Sequence, residues 1–252
     1  MIQVYVHPHC PYSRKVLIVL EEKHLPYQAM TLDPDSPSKK EALLKLNPFG
    51  KVPVLIDDDF VVFESDVIAA YLEDKYPAPA TAVLMPENVA RQKLMETVHD
   101  RHLAPLVHIL YEEYFLKKPY ERNDEIIADT FKKIQKTLSW VNAQLEGQTY
   151  FGGTFFSTAD AAFVHSLANW LPQFNVDISG HPHVATWLAK IKKRESVKKT
   201  DPGLFRYPKM NPASSSSQSK PRASAILNQA VLASIKENPK ANRVGLTKGK
   251  AQ

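Results

Sequence analysis

The sequence predicts an α/β domain built on a four-stranded mixed sheet, followed by a separate all-helical domain. Three observations carry this reading. Strand and helix patterns alternate over the first eighty or so residues, a proline-rich break interrupts them at 76–82, and from about Glu87 to Lys199 only helical periodicity remains.

Each element has its own reason. Ile2, Val4 and Val6 alternate with Gln3 and Tyr5, so a strand opens the chain. Residues 14–23 are dense in Val, Leu and Ile and stop before His24-Leu25-Pro26, as a buried helix would. Residues 27–32 read as a second strand, and Ser38 with Glu41 is a candidate capping box for a short helix through Lys45. Residues 52–56 and 60–63 flank Asp57-Asp58-Asp59 and read as a hairpin. Pro53 has no amide hydrogen to donate, so it must begin its strand or lie on an edge. A helix over 65–75 completes the domain. The opening strand–helix–strand unit requires a parallel pair with a right-handed crossover, and the hairpin adds two antiparallel strands.

Domain limits follow at 1–80 and 84–200, with Tyr76-Pro77-Ala78-Pro79 at the boundary. In the second domain Phe131, Ile134, Leu138, Val141 and Leu145 recur three or four apart on one helical face. Ser157 and Asp160 form a capping box, and Pro182 with Val184, Trp187, Leu188 and Ile191 marks the last helix of this domain.

Charge separates the remainder. After Thr200 there are nine basic and two acidic residues, a balance of +7, which leaves −2 for residues 1–200 of a chain whose total is +5. The basicity therefore belongs to the tail and is no sign of a nucleic-acid-binding fold; a polyanion contact, if made, is made by the tail. That tail, 201–252, is expected to be mostly disordered, with a short amphipathic helix over 225–237 that docks on its own domain or merely flickers, the alternative being a partner-binding or membrane-surface helix. With no secretory signal, no long apolar run and one cysteine, the expected location is the cytoplasm, with no transmembrane segment.

That cysteine lies at a strand-to-helix corner, His7-Pro8-His9-Cys10-Pro11-Tyr12-Ser13. A lone thiol closes no internal disulfide and does not by itself hold a tetrahedral metal, so it is a small buried hydrophobe or it works on a sulfur from outside. No metal is expected. Pro11 suits the first helical position, which makes Cys10 the N-cap with its sulfur toward free backbone amides. Bringing its pKa to about 6 needs about 3.4 kcal/mol, of which a helix dipole gives roughly 0.3–2. The rest calls for hydrogen bonds from the Tyr12 or Ser13 amide or the Ser13 hydroxyl, at about 1.5–3 kcal/mol each. Ser13 stands where a dithiol enzyme has its second cysteine, so a mixed disulfide on Cys10 must be released by an external thiol, for which glutathione is the abundant candidate.

The run Cys10-Pro11-Tyr12-Ser13-Arg14-Lys15-Val16-Leu17, the segment Asn47-Pro48-Phe49-Gly50-Lys51-Val52-Pro53-Val54-Leu55 and Phe63-Glu64-Ser65-Asp66 resemble the glutathione transferase superfamily, closest to its cysteine-type omega and dehydroascorbate reductase classes. The resemblance covers about residues 1–200. It implies a thioredoxin-like first domain with glutathione as cosubstrate in the cleft between the domains. It further implies a cis Pro53, a Val52 backbone that pairs with the cysteinyl part of glutathione, Glu64 and Ser65 on the γ-glutamyl end, and Lys39, or Lys40, near the glycyl carboxylate. Tyr12 replaces the phenylalanine common in those classes. His108, Tyr111, Glu112 and Phe115 are candidates for the pocket of a small electrophilic or disulfide substrate, and a homodimer is a further implication. The activity implied is thiol transfer, as deglutathionylation or dehydroascorbate reduction, with weak conjugation. A non-catalytic interaction module on the same fold is the alternative.

Overall fold

The computed structural model describes residues 1–32, 37–81 and 85–203; side chains are described for all of these except 37–40. The expected tail helix at 225–237 lies outside the described residues, as does the side chain of Ser38.

The first domain runs β1 (Ile2–Val6), α1 (Pro11–Glu22), β2 (Tyr27–Thr31), α2 (Pro37–Leu46), β3 (Val54–Asp57), β4 (Phe60–Phe63) and α3 (Ser65–Lys75). Its sheet order is β2-β1-β3-β4, with β1 and β2 parallel and the other two pairs antiparallel, so the expected mixed sheet is present. Register keeps the apolar residues of β1 together. Val4 pairs with Ala29 on one side and Leu55 on the other, and Ile2, Val4 and Val6 all point into the core. The strand after Pro53 begins at Val54, which leaves the proline outside the ladder as its missing donor requires.

The regular elements of the second domain's described residues are all helices, beside one isolated bridge between Tyr150 and Gly153. Its elements are α4 (Pro86–Val98), α5 (Ala104–Tyr111), α6 (Asp124–Gln144), α7 (Thr158–His165), α8 (Leu171–Gln173), α9 (Pro182–Ile191) and α10 (Glu195–Lys199). Wider π-helical turns join several of them, at His99–Leu103, Glu112–Leu116 and Ser166–Trp170. The Pro182 helix is as expected but is not the last, because α10 follows it. On α6 the periodic residues Ile134, Leu138 and Val141, with Leu145 just beyond, are buried, and Asn123 caps the helix by accepting from the amides of Glu125 and Ile126.

The capping box at Ser157 and Asp160 does more than end a helix. Asp160 accepts from the Ser157 amide (2.9 Å) and hydroxyl (3.1 Å), the Phe151 amide (3.0 Å) and the Trp187 indole (2.7 Å), in a fully buried position. Burial pushes its carboxyl up to about 6 against those four bonds. Since the folded value lies above the ordinary one, this group makes the fold less stable as pH rises toward 6, and the effect levels off above that.

The domains meet on α1, which packs against α3 of its own domain and against α7 and α10 of the other. Arg14 donates to Asn169 and to the Val197 carbonyl (3.0 Å), and Glu22 receives Arg194 and Ser196. Asp160→Ala is expected to cost at least about 3 kcal/mol, because four buried donors lose their acceptor. The shift of the urea midpoint measures this, and a loss under about 1 kcal/mol would contradict it.

Candidate active site

The corner between β1 and α1 is built as the proline requires. Pro11 opens the helix, Cys10 is its N-cap with extended backbone, and the Arg14 amide makes the first helical bond to the Cys10 carbonyl (3.1 Å). The Cys10 amide donates to His7 O (3.0 Å), and the buried Ser13 hydroxyl accepts from the His7 amide (3.2 Å), which ties the loop to the helix. Cys10 lies deep in the domain junction but keeps an accessible surface.

The thiol departs from the sequence expectation. Burial pushes it up, and the opposing bonds from the Ser13 amide and hydroxyl and the Tyr12 amide do not reverse this. The donors expected from the sequence are all there; the cost of desolvating the anion was the omitted quantity. The thiol also donates to the Val52 carbonyl at 3.8 Å, a contact that favours the neutral form. His9, held down to about 4 by burial and then by His7, supplies no cation.

Beside the thiol lies a cavity of about 250 Å³ lined by Tyr12, Asn47, Lys51, Val52, Pro53, Glu64, Ser65, Asp66 and Asp100. Its walls come from three places. The loop before β3 is held by buried Asn47, which donates to the Lys51 carbonyl (2.8 Å) and accepts from the Phe49 amide (3.0 Å). The Val52-Pro53 peptide is cis, and Val52, at a bend ahead of β3, lines the cavity. The turn into α3 puts Glu64 at φ +69°, a conformation uncommon for a side-chain-bearing residue, and leaves Ser65 buried at the helix N-terminus. From the second domain comes Asp100, on the π-helical turn after α4. Its carboxylate faces His99 Nδ1 at 2.6 Å, and His99 Nε2 in turn lies 3.0 Å from the Ser166 hydroxyl. Although burial works against its charge, His99, then Lys15 and Asp66, hold the Asp100 carboxyl below the usual range.

Of the residues singled out in the sequence, Tyr12, Val52, Pro53, Glu64 and Ser65 gather on this cavity, with Cys10 against its Val52 wall and Ser13 beneath Cys10. The side chains of Lys39 and Lys40 lie outside the described residues. His108, Tyr111, Glu112 and Phe115 do not line the cavity. Exposed His108 and Glu112 face each other at 3.3 Å, while Tyr111 and Phe115 meet Trp170 at ring distances of 5.3 and 6.0 Å. Trp170 lies 6.4 Å from His9, so this aromatic wall runs back to the Cys10 loop. Asp100 escaped the sequence reading because a π-helical turn leaves no periodic signature; Asn47 and Asp66 stood inside recognised motifs without a role.

A thiol at the head of a helix lies beside a cleft between a thioredoxin-like domain and a helical one. Residues 9–75 match the glutathione S-transferase N-terminal domain and residues 95–195 the glutathione S-transferase C-terminal domain. Glutathione S-transferase-like protein OpS6 of Beauveria bassiana (strain ARSEF 2860) is 31% identical over 209 residues, covering 79% of this chain and 93% of its own. Glutathione S-transferase 3 of Zea mays is 28% identical over 205 residues, covering 79% and 92%. Among solved structures, glutathione S-transferase III in apo form superposes with a TM-score of 0.68 at 26% identity, over 82% of this chain and 98% of that one. A Methylobacterium radiotolerans glutathione S-transferase in complex with glutathione sulfonate gives 0.70 at 25%, over 80% and 94%. The chain belongs to the glutathione S-transferase family, a family of enzymes.

Among the described residues no group of three or more His, Cys, Asp or Glu is placed to hold a metal ion, and no helix is long and apolar enough to cross a membrane. In the ligand-free protein, the alkylation rate of Cys10 is expected to reach half its maximum at a higher pH than that of a free thiol such as N-acetylcysteine. A midpoint below the free thiol's would show that the helix donors outweigh burial after all.

Proposed function

We propose that this chain is a glutathione-dependent thiol transferase with Cys10 as its nucleophile. The observation that carries the reading is the Cys10 sulfur 3.8 Å from the Val52 carbonyl, at the wall of a cavity of about 250 Å³. Val52 precedes its strand, so its backbone is free of the sheet ladder and its carbonyl is available to a peptide ligand. Glutathione placed on that edge brings its cysteinyl sulfur toward Cys10. Its γ-glutamyl carboxylate goes to Ser65 and the amides that open α3, and its ammonium to the carboxylates of Glu64, Asp66 and Asp100. The glycyl carboxylate falls to Lys51, which lines the cavity, or to Lys39.

The ligand also changes the nucleophile. A ligand amide that takes the Val52 carbonyl removes the acceptor that the neutral thiol uses, and leaves the sulfur facing only donors from Tyr12 and Ser13. The Cys10 thiolate then attacks the glutathionyl sulfur of a mixed disulfide. The Cys10–glutathione disulfide forms, and the substrate thiolate leaves and takes up a proton from water. A second glutathione thiolate attacks that disulfide, releasing oxidised glutathione and restoring Cys10. Ser13 cannot resolve the intermediate, so the external thiol is obligatory.

Within this reading the substrates are glutathionylated thiols or dehydroascorbate, in the manner of the omega and dehydroascorbate reductase classes, and conjugation to electrophiles is the weaker activity. The aromatic wall from Tyr111 and Phe115 to His9 is where the second substrate sits. A cytoplasmic homodimer is part of the same proposal, supported by exposed Phe60 and Val61 on edge strand β4 and Val67 on α3.

Cys10→Ser is expected to lower glutathione-dependent reduction of a small mixed disulfide at least about 100-fold while the protein stays bound to immobilised glutathione. Unchanged turnover would move the chemistry off Cys10, and a wild type with no turnover but intact binding would favour an interaction module.

A further inference from the structure

Six of the ten residues from Lys190 to Lys199 are Lys or Arg, and one is acidic. Residues 190–252 together carry fifteen basic and three acidic residues, a balance of +12, which leaves −7 for residues 1–189. The positive pole of the chain therefore begins inside the folded second domain, on the turn from α9 to α10. A cation in the last turn of α9 suits the helix dipole, but that asks for one residue and not six.

Their surroundings sort these charges. Arg194 is bound to Glu22 at 2.8 Å, Lys199 to Glu21 at 3.1 Å and Lys198 to Glu195 at 2.6 Å, so these three serve the packing of α10 on α1 and the helix itself. Lys190 lies over the Tyr150 ring at 4.8 Å, and among the described residues Lys192 and Lys193 have no acidic partner; all three are exposed. Arg194 also covers the Phe156 ring at 4.3 Å, and Tyr150 meets Phe156 edge-on at 6.1 Å. The loop between the Tyr150–Gly153 bridge and α7 is thereby fastened to this turn, and it carries Phe155, an aromatic residue that is 72% exposed. The described chain ends at Gly203, four residues beyond Lys199. The 49 residues that follow add nine basic residues and one acidic, with an uncharged stretch over 223–235 that contains Ile226, Leu227, Val231 and Ile235.

We infer that the α9–α10 turn, with Phe155 beside it, is a docking face for an anionic lipid bilayer. Lysines reach phosphate and carboxylate headgroups while an exposed ring enters the boundary with the acyl chains, and a basic patch joined to apolar anchors holds where either alone is weak. A nucleic acid fits this face less well. Phe155 and the uncharged tail stretch gain nothing from a phosphate backbone, and the −7 of residues 1–189 repels a long polyanion that extends past the patch, whereas a bilayer meets one face only. The inference is independent of the glutathione reading and adds to it a place of action.

Cosedimentation of the full chain with large vesicles of phosphatidylcholine, alone or with about 30% phosphatidylserine, tests this at physiological and at high salt. Binding to the phosphatidylserine vesicles is expected to be at least about 10-fold tighter than to phosphatidylcholine alone, and to be lost at high salt. Lys192→Gln/Lys193→Gln should weaken it about 10-fold, and Lys192→Arg/Lys193→Arg should retain it, which separates the charge from any effect on folding. Phe155→Ser should weaken vesicle binding at least about 5-fold and leave binding to a DNA duplex unchanged. The inference is overturned if the wild type binds both vesicles equally or binds neither, if the Gln pair binds as tightly as the wild type, or if the Arg pair binds as weakly as the Gln pair. It is equally overturned if Phe155→Ser leaves vesicle binding intact or weakens both partners alike, or if the wild type binds the duplex more tightly than the anionic vesicles at the same salt. None of these outcomes bears on the glutathione reading, which stands or falls with Cys10.

Discussion

Everything in this molecule is arranged around the near-complete burial of α1. Val16, Ile18, Val19 and Leu20 have no exposed surface, as a helix wedged between a sheet and a second domain requires. The same burial takes in Arg14, Lys15 and, just past the helix, Lys23, each at most 2% exposed. Stranding such a charge costs several kcal/mol, so each must find a partner. Arg14 finds Asn169 and Val197 in the helical domain, Lys15 finds Asp66, and Lys23 finds Glu73 and the carbonyls of Tyr76 and Pro79. Of these pairings the Arg14 bonds cross between the domains, and sliding one domain on the other would break them.

The reactive corner takes its character from the same constraint. Placing Cys10 at the head of a helix aims backbone donors at its sulfur, but placing that helix between two domains removes water from the anion. The second effect wins, and the Val52 carbonyl reinforces it. Within the proposed function such a thiol stays neutral until a ligand takes the Val52 carbonyl, and a neutral lone thiol is less open to oxidants than a permanent thiolate.

Much of this was legible in the residues. The alternation of Ile2, Val4 and Val6, the Asp57-Asp58-Asp59 turn and the Ser157 to Asp160 box each report a local constraint, and each appears where the sequence places it. Cys10 stood out as the one cysteine at a strand-to-helix corner, whereas Val52, Pro53, Glu64 and Ser65 were singled out only through the resemblance of their segments to the family, and the structure places these four on one cavity. Two things were not. The thiol's protonation depends on how much protein packs above the corner, which no local segment encodes. Asp100 enters the cleft through a π-helical turn whose extra residue is invisible to a periodicity argument, and its place on the cavity follows only from how the second domain packs against the first.

The central claim is that Cys10 exchanges disulfides with glutathione seated in this cleft. Intact-mass and peptide mapping after brief incubation with oxidised glutathione tests it most directly. The account expects one glutathionyl adduct per chain, on Cys10, formed faster than on an unfolded control peptide spanning the same corner and removed by reduced glutathione. No adduct, or one that forms no faster than on the unfolded control peptide, would contradict it.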